Sequence, residues 1–128
     1  MRKTAVSGKQ NQKTGKTGEE IGTGFLVERG YRILGRNVKS PFGEIDLIAE
    51  DRKTLVFIEV KTRRSSRFGV PEEAVGLSKQ ARLSRLALWY TARHLKKDQP
   101  IRFDVLAVDL SNGKPSFRLI QNAFEAQT

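Results

Sequence analysis

The sequence predicts an α/β domain whose helices and strands follow the order α, β, β, β, α, β, β. Three observations lead to this order. Two segments have apolar residues at helical spacing, and each precedes a group of short apolar runs of strand length. The second and third runs are joined by only four residues, 50–53. This connection is too short for a parallel crossover and permits only an antiparallel hairpin. Asn112-Gly113 separates the last two runs, and Asn-Gly is a strong hairpin-turn signal.

The first half of the chain is predicted to be one helix followed by three strands. Ile21, Phe25 and Leu26 share a helical face, and Gly30 is a natural C-terminal stop. The helix is therefore expected over about 17–29, although glycines inside it weaken its intrinsic stability. The three strands are expected at 31–37, 44–49 and 54–61.

The second half is predicted to contain the longer helix and the last two strands. Ser78 is a suitable N-cap for a helix that runs to about 95. Its expected buried stripe is Leu83, Leu86, Ala87 and Tyr90. The basic side chains expected to remain in water are Lys79, Arg82, Arg85 and Arg93. The strands are expected at 101–109 and 116–120, and Pro71 favours a short helical turn before the helix.

Length and charge define the class of protein. A chain of 128 residues with 24 Lys and Arg against 14 Asp and Glu has a formal charge of +10, which favours nucleic acid as a partner. Residues 1–16 are basic and nearly free of large apolar side chains, so we expect a disordered arm, then a domain at 17–124 and a tail at 125–128. No apolar stretch is long enough to cross a membrane, and there is no cysteine. We therefore expect a soluble cytoplasmic protein without a membrane partner.

Charged residues interrupt the two strands of the first hairpin. Side chains alternate between faces along a strand, so Glu59 and Lys61 lie on one face. If the hairpin is centred between Arg52 and Lys53, Asp46 lies opposite Glu59. Two carboxylates about 4 Å apart repel each other by on the order of 4 kcal/mol at an effective dielectric near 20. Lys61 or a divalent cation such as Mg²⁺, which suits phosphodiester hydrolysis, would offset this repulsion. The alternative is a structural ion pair of Glu59 with Lys61, with Asp46 bound to an arginine.

An ordered series of short motifs resembles a known family. The series comprises Gly18-Glu19, Gly43-Glu44-Ile45-Asp46-Leu47-Ile48, Phe57-Ile58-Glu59-Val60-Lys61-Thr62-Arg63, Phe68-Gly69, Lys79-Gln80 and Phe103-Asp104. In this order they resemble the uncharacterised bacterial YraN-like family and, through it, the PD-(D/E)xK nucleases, which include archaeal Holliday junction resolvases. The resemblance implies a restriction-endonuclease-like fold with a central mixed sheet of about five strands flanked by helices. The proline of the nuclease motif is replaced here by Ile45, which removes no ligand.

The resemblance also implies roles for individual residues. Asp46 and Glu59 would hold Mg²⁺ or Mn²⁺, Glu19 would approach from the helix as an auxiliary ligand, and Lys61 would position the attacking water. From the residues themselves, Gln80 either orients that water or is a surface amide. Phosphate contacts are expected from basic residues that follow the strand or begin the second helix. These are Arg63, Arg64, Arg67 and Lys79, whose alternative is a solvated surface. Asp104 is predicted to be structural, paired with an arginine.

Two hypotheses for function follow. The first is a metal-dependent endonuclease that acts on structured or branched DNA, as a homodimer by analogy with resolvases that cut two strands. The second is a noncatalytic accessory protein that binds nucleic acid through an inactive nuclease fold.

Overall fold

The computed structural model describes residues 7–64, 75–94 and 98–127. These residues form two helices and five strands in the predicted order. The elements are α1 (Ser7–Glu28), β1 (Arg32–Ser40), β2 (Gly43–Asp51), β3 (Thr54–Arg63), α2 (Leu77–His94), β4 (Ile101–Asp109) and β5 (Ser116–Phe124).

The five strands form one mixed sheet in the spatial order β1-β2-β3-β4-β5. Neighbouring strands are antiparallel except β3 and β4, which are parallel. Parallel neighbours require a crossover connection, and the segment that contains α2 provides it. The predicted architecture, a mixed five-stranded sheet flanked by helices, is confirmed.

The two helices cover opposite faces of the sheet. On β3, Leu55 and Phe57 pack in the core beneath α2, whereas Val56 and Ile58 pack in the core beneath α1. The α2-side core contains Ile45, Ile48, Leu55, Phe57, Leu83, Leu86, Ala87, Tyr90 and Phe103. The α1-side core contains Leu26, Tyr31, Leu47, Ala49, Val56, Ile58, Leu106 and Val108. The predicted buried stripe of the second helix is confirmed, because all four of its residues belong to the α2-side core.

Glycines allow α1 to lie directly on the sheet. A Cβ added at Gly18 would lie 1.9 Å from Oγ1 of Thr62 on β3, and one at Gly22 would lie 2.8 Å from Cδ2 of Leu106 on β4. Gly24, by contrast, would meet nothing within 4 Å. Two of these glycines therefore permit close helix–sheet packing, and the third is an exposed position that carries only the intrinsic cost of glycine in a helix.

Several element boundaries differ from those expected. The helix expected from 17 begins at Ser7, so residues 7–16, expected in a disordered arm, are helical. Helix formation is cooperative, and turns packed on the sheet can propagate a helix toward its N-terminus. α2 begins at Leu77, which places Ser78 inside the helix instead of at its cap. β5 continues to Phe124 because its last residues still pair with β4, across an irregularity between Phe103 and Val105.

Some expectations lie outside the described residues. They concern residues 1–6 of the arm, the turn at Pro71 and the candidate phosphate contact Arg67. Within the described part of the chain, neither helix is long and apolar enough to cross a membrane.

Candidate active site

The β2–β3 hairpin has the register predicted from the sequence. Its paired residues run from Asp51↔Thr54 to Leu47↔Ile58, so the hairpin is centred between Arg52 and Lys53. Arg52 adopts a φ of 60°, as the tight turn requires. Continued by one step, this register places Asp46 opposite Glu59. The two carboxylates thus lie where the paired part of the hairpin ends.

Asp46 lies at a local irregularity of β2. Ile45 and Ile48 both pack in the α2-side core although they are three residues apart, so the alternation of side chains is broken between them. On β1, the residue between the partners of Ile45 and Leu47 is Asn37, whose φ of 51° is in the left-handed region. Strict alternation along β2 predicts that Asp46 and Ile48 share one face and that Ile45 lies on the other, and this prediction is wrong for Ile45.

Where β2 and β3 separate, the Asp46 carboxylate accepts the hydrogen bond of a β3 amide in place of a backbone carbonyl of β2. Its Oδ2 accepts a hydrogen bond of 2.8 Å from the backbone N–H of Val60. Beyond Leu47↔Ile58 the hairpin ladder is not continued, so this side chain satisfies a strand amide that would otherwise lack a partner on that side. This hydrogen bond ties the Asp46 side chain of β2 to β3.

Glu19 of α1 lies close enough to Asp46 to raise the pKa of its carboxyl group. Burial raises the pKa of Asp46 most, the Val60 N–H lowers it, and the charge of Glu19 raises it again, to about 6 from an ordinary 3.8. The close packing of Gly18 on Thr62 explains why the following residue of α1 reaches this point.

Glu59 is buried on the α2-side face of β3, close enough to Asp46 for the two charges to interact. Its Oε2 forms an ion pair with Nζ of Lys79 on α2. Its Oε1 is also buried and has no hydrogen-bond partner among the described residues. Burial raises the pKa of Glu59 most and the charge of Asp46 raises it further, while Lys79 and then Lys61 lower it. Glu59 is therefore a carboxylate with unused hydrogen-bonding capacity.

The two lysines of the site differ from the expectation. Lys61 shares the face of Glu59 and acts on it through its charge, but the residue that contacts the carboxylate is Lys79. Lys79 was expected to remain in water and to contact phosphate. In the structure its side chain is about one-third exposed and is bound to Glu59.

The other candidate residues lie around this site with their own contacts. The side-chain amide of Gln80 donates to the carbonyl of Val75 and accepts from the side chain of Gln127. It therefore links α2 to the residues just before the helix and to the C-terminal tail. Arg63 forms an ion pair of 3.8 Å with Asp109, and Arg64 is exposed.

The oxygen chemistry of the site suits a hard divalent cation. Asp46, Glu59 and Glu19 supply carboxylate oxygens. Oε1 of Glu59 is buried and accepts no hydrogen bond from the described residues, so it is available as a metal ligand. In the described residues, no group of three or more His, Cys, Asp and Glu side chains is arranged to hold a metal ion. Among the described residues, the positive group that contacts this acidic cluster is Lys79, which is bound to Glu59 and whose place a cation would take.

Two features of the site escaped sequence reasoning. The Lys79–Glu59 pair joins residues 20 apart across the crossover, and no local pattern specifies that distance. The C-terminal tail also contacts α2, since the N–H of Gln127 donates to Oγ of Ser84. The Asp104 prediction is confirmed: Asp104 is buried and is bound by Arg102 through two hydrogen bonds.

Comparison with known proteins shows that these residues all lie within the region matched by one protein family. A family model described as "Uncharacterised protein family UPF0102" matches residues 18–108, which include every carboxylate and lysine of the site. A UPF0102 protein of Symbiobacterium thermophilum is 51% identical over 117 residues, which cover 91% of this chain and 99% of the relative. A UPF0102 protein of Syntrophus aciditrophicus is 47% identical over 116 residues and 91% of each chain.

Similar solved structures are more distant. Pyrococcus furiosus SfsA in complex with Ca²⁺ has a TM-score of 0.41 and 19% identity, over 87% of this chain and 63% of that one. The protein SSO0001 has a TM-score of 0.33 and 18% identity, over 82% of this chain and 48% of that one. This chain therefore spans less than two thirds of either structure.

Proposed function

The chain belongs to the uncharacterised protein family UPF0102, and we propose that it is a metal-dependent endonuclease that hydrolyses phosphodiester bonds of structured or branched DNA. The observation that carries the proposal is the proximity of the buried carboxylate Glu59 to the partly buried carboxylate Asp46, at the point where β2 and β3 separate. Both have a raised pKa, and one buried oxygen of Glu59 lacks a partner in the described structure. Perturbed acids in such a setting are typical of functional sites.

Each residue of the site has a role in this proposal. Asp46 and Glu59 would hold Mg²⁺ or Mn²⁺, and Glu19 would complete the set from α1. When bound, the cation would activate a water molecule and stabilise charge that develops on the phosphodiester. Lys61, on the face of Glu59, would orient the attacking water, and Lys79, which neutralises Glu59 in the structure, would give up that oxygen to a bound cation. The net charge of +10 would supply phosphate affinity that does not depend on sequence.

A panel of labelled four-way junctions, flaps, duplexes and single strands, with and without Mg²⁺ or Mn²⁺, tests the proposal. We expect wild type to cleave at least one branched substrate only when metal is present. Glu59→Gln should lose roughly 100-fold or more of the rate, because it removes a ligand. Its matched control is Glu28→Gln, which changes the same charge at an exposed position near the end of α1 and should cleave normally. Cleavage that survives in Glu59→Gln would contradict the proposed site.

One observation favours the second candidate function, a noncatalytic accessory protein that binds nucleic acid. Lys79 occupies one oxygen of Glu59, and the described acidic groups are not arranged to hold a metal. An inactive nuclease fold would retain such a closed arrangement. In this case wild type would bind the same DNA panel with a strong salt dependence but release no product with either metal.

We further propose that the protein acts on branched DNA as a homodimer, since a branch is resolved only when two strands are cut. Light scattering of the protein alone and of its complex with a four-way junction measures this directly. A two-to-one complex is expected, and a monomer in both samples would exclude paired cutting.

A further inference from the structure

A groove with charged residues in its lining lies beside the candidate active site, at the ends of β3 and β4 and the start of β5. Its volume is about 250 Å³. A water molecule occupies roughly 30 Å³ in the liquid, so the groove has room for several waters or for one phosphodiester group. Its charged lining residues are Arg63, Asp109 and Arg118.

The strand register explains why a groove forms here. Two rows of side chains cross the three strands, and each row contains a small residue. One row is Lys61, Ala107 and Arg118, and the next is Arg63, Asp109 and Ser116. Ala107 and Ser116 leave the space, and the longer side chains border it.

Both rows lie on the sheet face that carries Glu59. Thr62 contacts α1, and Leu106 and Val108 pack in the α1-side core, so their neighbours Lys61, Arg63 and Ala107 point to the other face. The members of the α2-side core lie nearer the opposite ends of β3 and β4, up to Phe57 and Phe103. The groove thus follows Glu59 directly along this face. Arg118 lies two strands from Lys61, about 10 Å away.

The charge of the groove favours an anion. Arg63 and Arg118 supply two positive charges and Asp109 one negative charge, which leaves a net positive charge next to Lys61. Asp109 accepts at Oδ1 from the backbone N–H of Ser111, and its Oδ2 forms the 3.8 Å ion pair with Arg63, so a phosphate would share Arg63 with Asp109. Arg118 is exposed on β5, so its guanidinium can approach a ligand without unfolding any element. A guanidinium suits phosphate oxygens because it donates two parallel hydrogen bonds.

We propose that this groove binds a backbone phosphate of the nucleic-acid strand that flanks the cleaved bond, with Arg118 and Arg63 as its contacts. The inference rests on the proposed function in one respect: it takes the strand to pass Glu59 and Lys61. It extends that function by assigning a phosphate subsite to β5, where Arg118 belongs to no motif of the sequence. Contacts of this kind set the register of the strand against the catalytic residues without reading its bases.

The test measures binding, not cleavage, so that it is independent of the endonuclease activity. Full-length Glu59→Gln is titrated with a fluorescent four-way junction over a range of salt concentrations. Adding Arg118→Gln should weaken binding severalfold and reduce the slope of log affinity against log salt by about 1, because one phosphate contact is lost. Arg118→Lys should restore most of the slope. The control is Arg93→Gln, an exposed arginine 14 residues along α2 from Lys79, about 20 Å away.

Nuclear magnetic resonance of the arginine Nε–Hε groups identifies the contacts directly. In Glu59→Gln, a five-nucleotide oligothymidylate should shift the signals of Arg63 and Arg118 together. Inorganic phosphate at the same ionic strength should shift them only at much higher concentration. Equal response to both probes would mean a site for free phosphate and overturn the proposal.

The outcomes separate this inference from the proposed function. If wild type cleaves DNA and Arg118→Gln binds like Arg93→Gln, the subsite is excluded and the endonuclease stands. A second outcome is that wild type does not cleave, while Arg118→Gln lowers the salt dependence of binding and abolishes the joint NMR shifts of Arg63 and Arg118. In that case the subsite stands and the endonuclease proposal is wrong. Absence of any DNA binding by the full chain would overturn the subsite.

Discussion

Two buried carboxylates lie on opposite faces of the same sheet, and their surroundings differ. Asp104, on the α1 side of β4, accepts hydrogen bonds at both oxygens, from Arg102, from the Tyr31 hydroxyl and from the backbone N–H of Asn122. Glu59, on the α2 side of β3, has one lysine at one oxygen and no described partner at the other. The described part of the fold therefore provides hydrogen-bond partners for both oxygens of Asp104 but for only one oxygen of Glu59.

The difference separates structure from function. Arg102 also binds Asp51, so a network of matched charges fixes the start of β4 against β2 and the loop after α1. Around Glu59 the acids outnumber the bases that contact them, and the pKa of both Glu59 and Asp46 is raised. An unsatisfied buried acid lowers the stability of the fold, and such a cost is expected where a ligand completes the site.

The largest effect on stability is expected from Asp104→Asn. It leaves the part-buried Arg102 without its main partner, and breaking a buried ion pair costs roughly 3–5 kcal/mol. Glu59→Gln should cost less than about 1 kcal/mol, because it removes a buried charge and Lys79 can turn toward water. Urea denaturation measures both. Asp98→Asn, at an exposed loop position, is the control and should change stability by at most about 0.5 kcal/mol. Equal losses for Asp104→Asn and Glu59→Gln would remove the contrast between the two sites.

A smaller effect is expected from the pH dependence of Asp46. Its pKa is raised in the folded protein from 3.8 to about 6, so the folded state holds the proton more tightly than the unfolded chain does. The resulting stability is fully present below about pH 4 and is lost as the pH rises through 6. Asp46→Asn should thus gain roughly 2–3 kcal/mol relative to wild type between pH 4 and pH 7.5.

Denaturation at both pH values tests this expectation. The control is Glu44→Gln, which removes an exposed carboxylate from the same strand. The difference in unfolding free energy between Glu44→Gln and wild type should be the same at pH 4 and pH 7.5, whereas that of Asp46→Asn should increase. If the two variants gave the same pH dependence, Asp46 would not be the titrating group.

The sequence allowed prediction of the hairpin that brings the carboxylates together. The four residues 50–53 permit only an antiparallel turn, and the turn fixes which residues of the two strands are opposite each other. Alternation along β3 then places Glu59 and Lys61 on one face. These are local rules, and they determined the central geometry of the candidate site.

Other features depend on distances that no local rule fixes. The contact of Lys79 with Glu59 depends on how the crossover places α2 over the sheet. The position of Asp46 depends on the irregularity opposite Asn37, since a left-handed residue inside a strand has no reliable sequence pattern. The Arg102–Asp104 pair was partly predictable, because residues two apart on a strand share a face.

The smallest effects are expected from the glycines of α1, and they test whether the candidate site depends on helix packing. Gly18→Ala should destabilise the protein by about 1–3 kcal/mol, because its Cβ would overlap Thr62 and displace α1, which carries Glu19. Gly24→Ala is the matched control in the same helix, and it should stabilise the protein by up to about 1 kcal/mol since its Cβ meets nothing. Thermal denaturation compares the two. Displacement of Glu19 removes its contribution to the raised pKa of Asp46, so Gly18→Ala should also reduce the loss of stability between pH 4 and pH 7.5, whereas Gly24→Ala should leave it unchanged. A pH dependence that is unaltered in a destabilised Gly18→Ala protein would show that Asp46 owes its pKa to burial alone, and Glu19 would then have no part in the site.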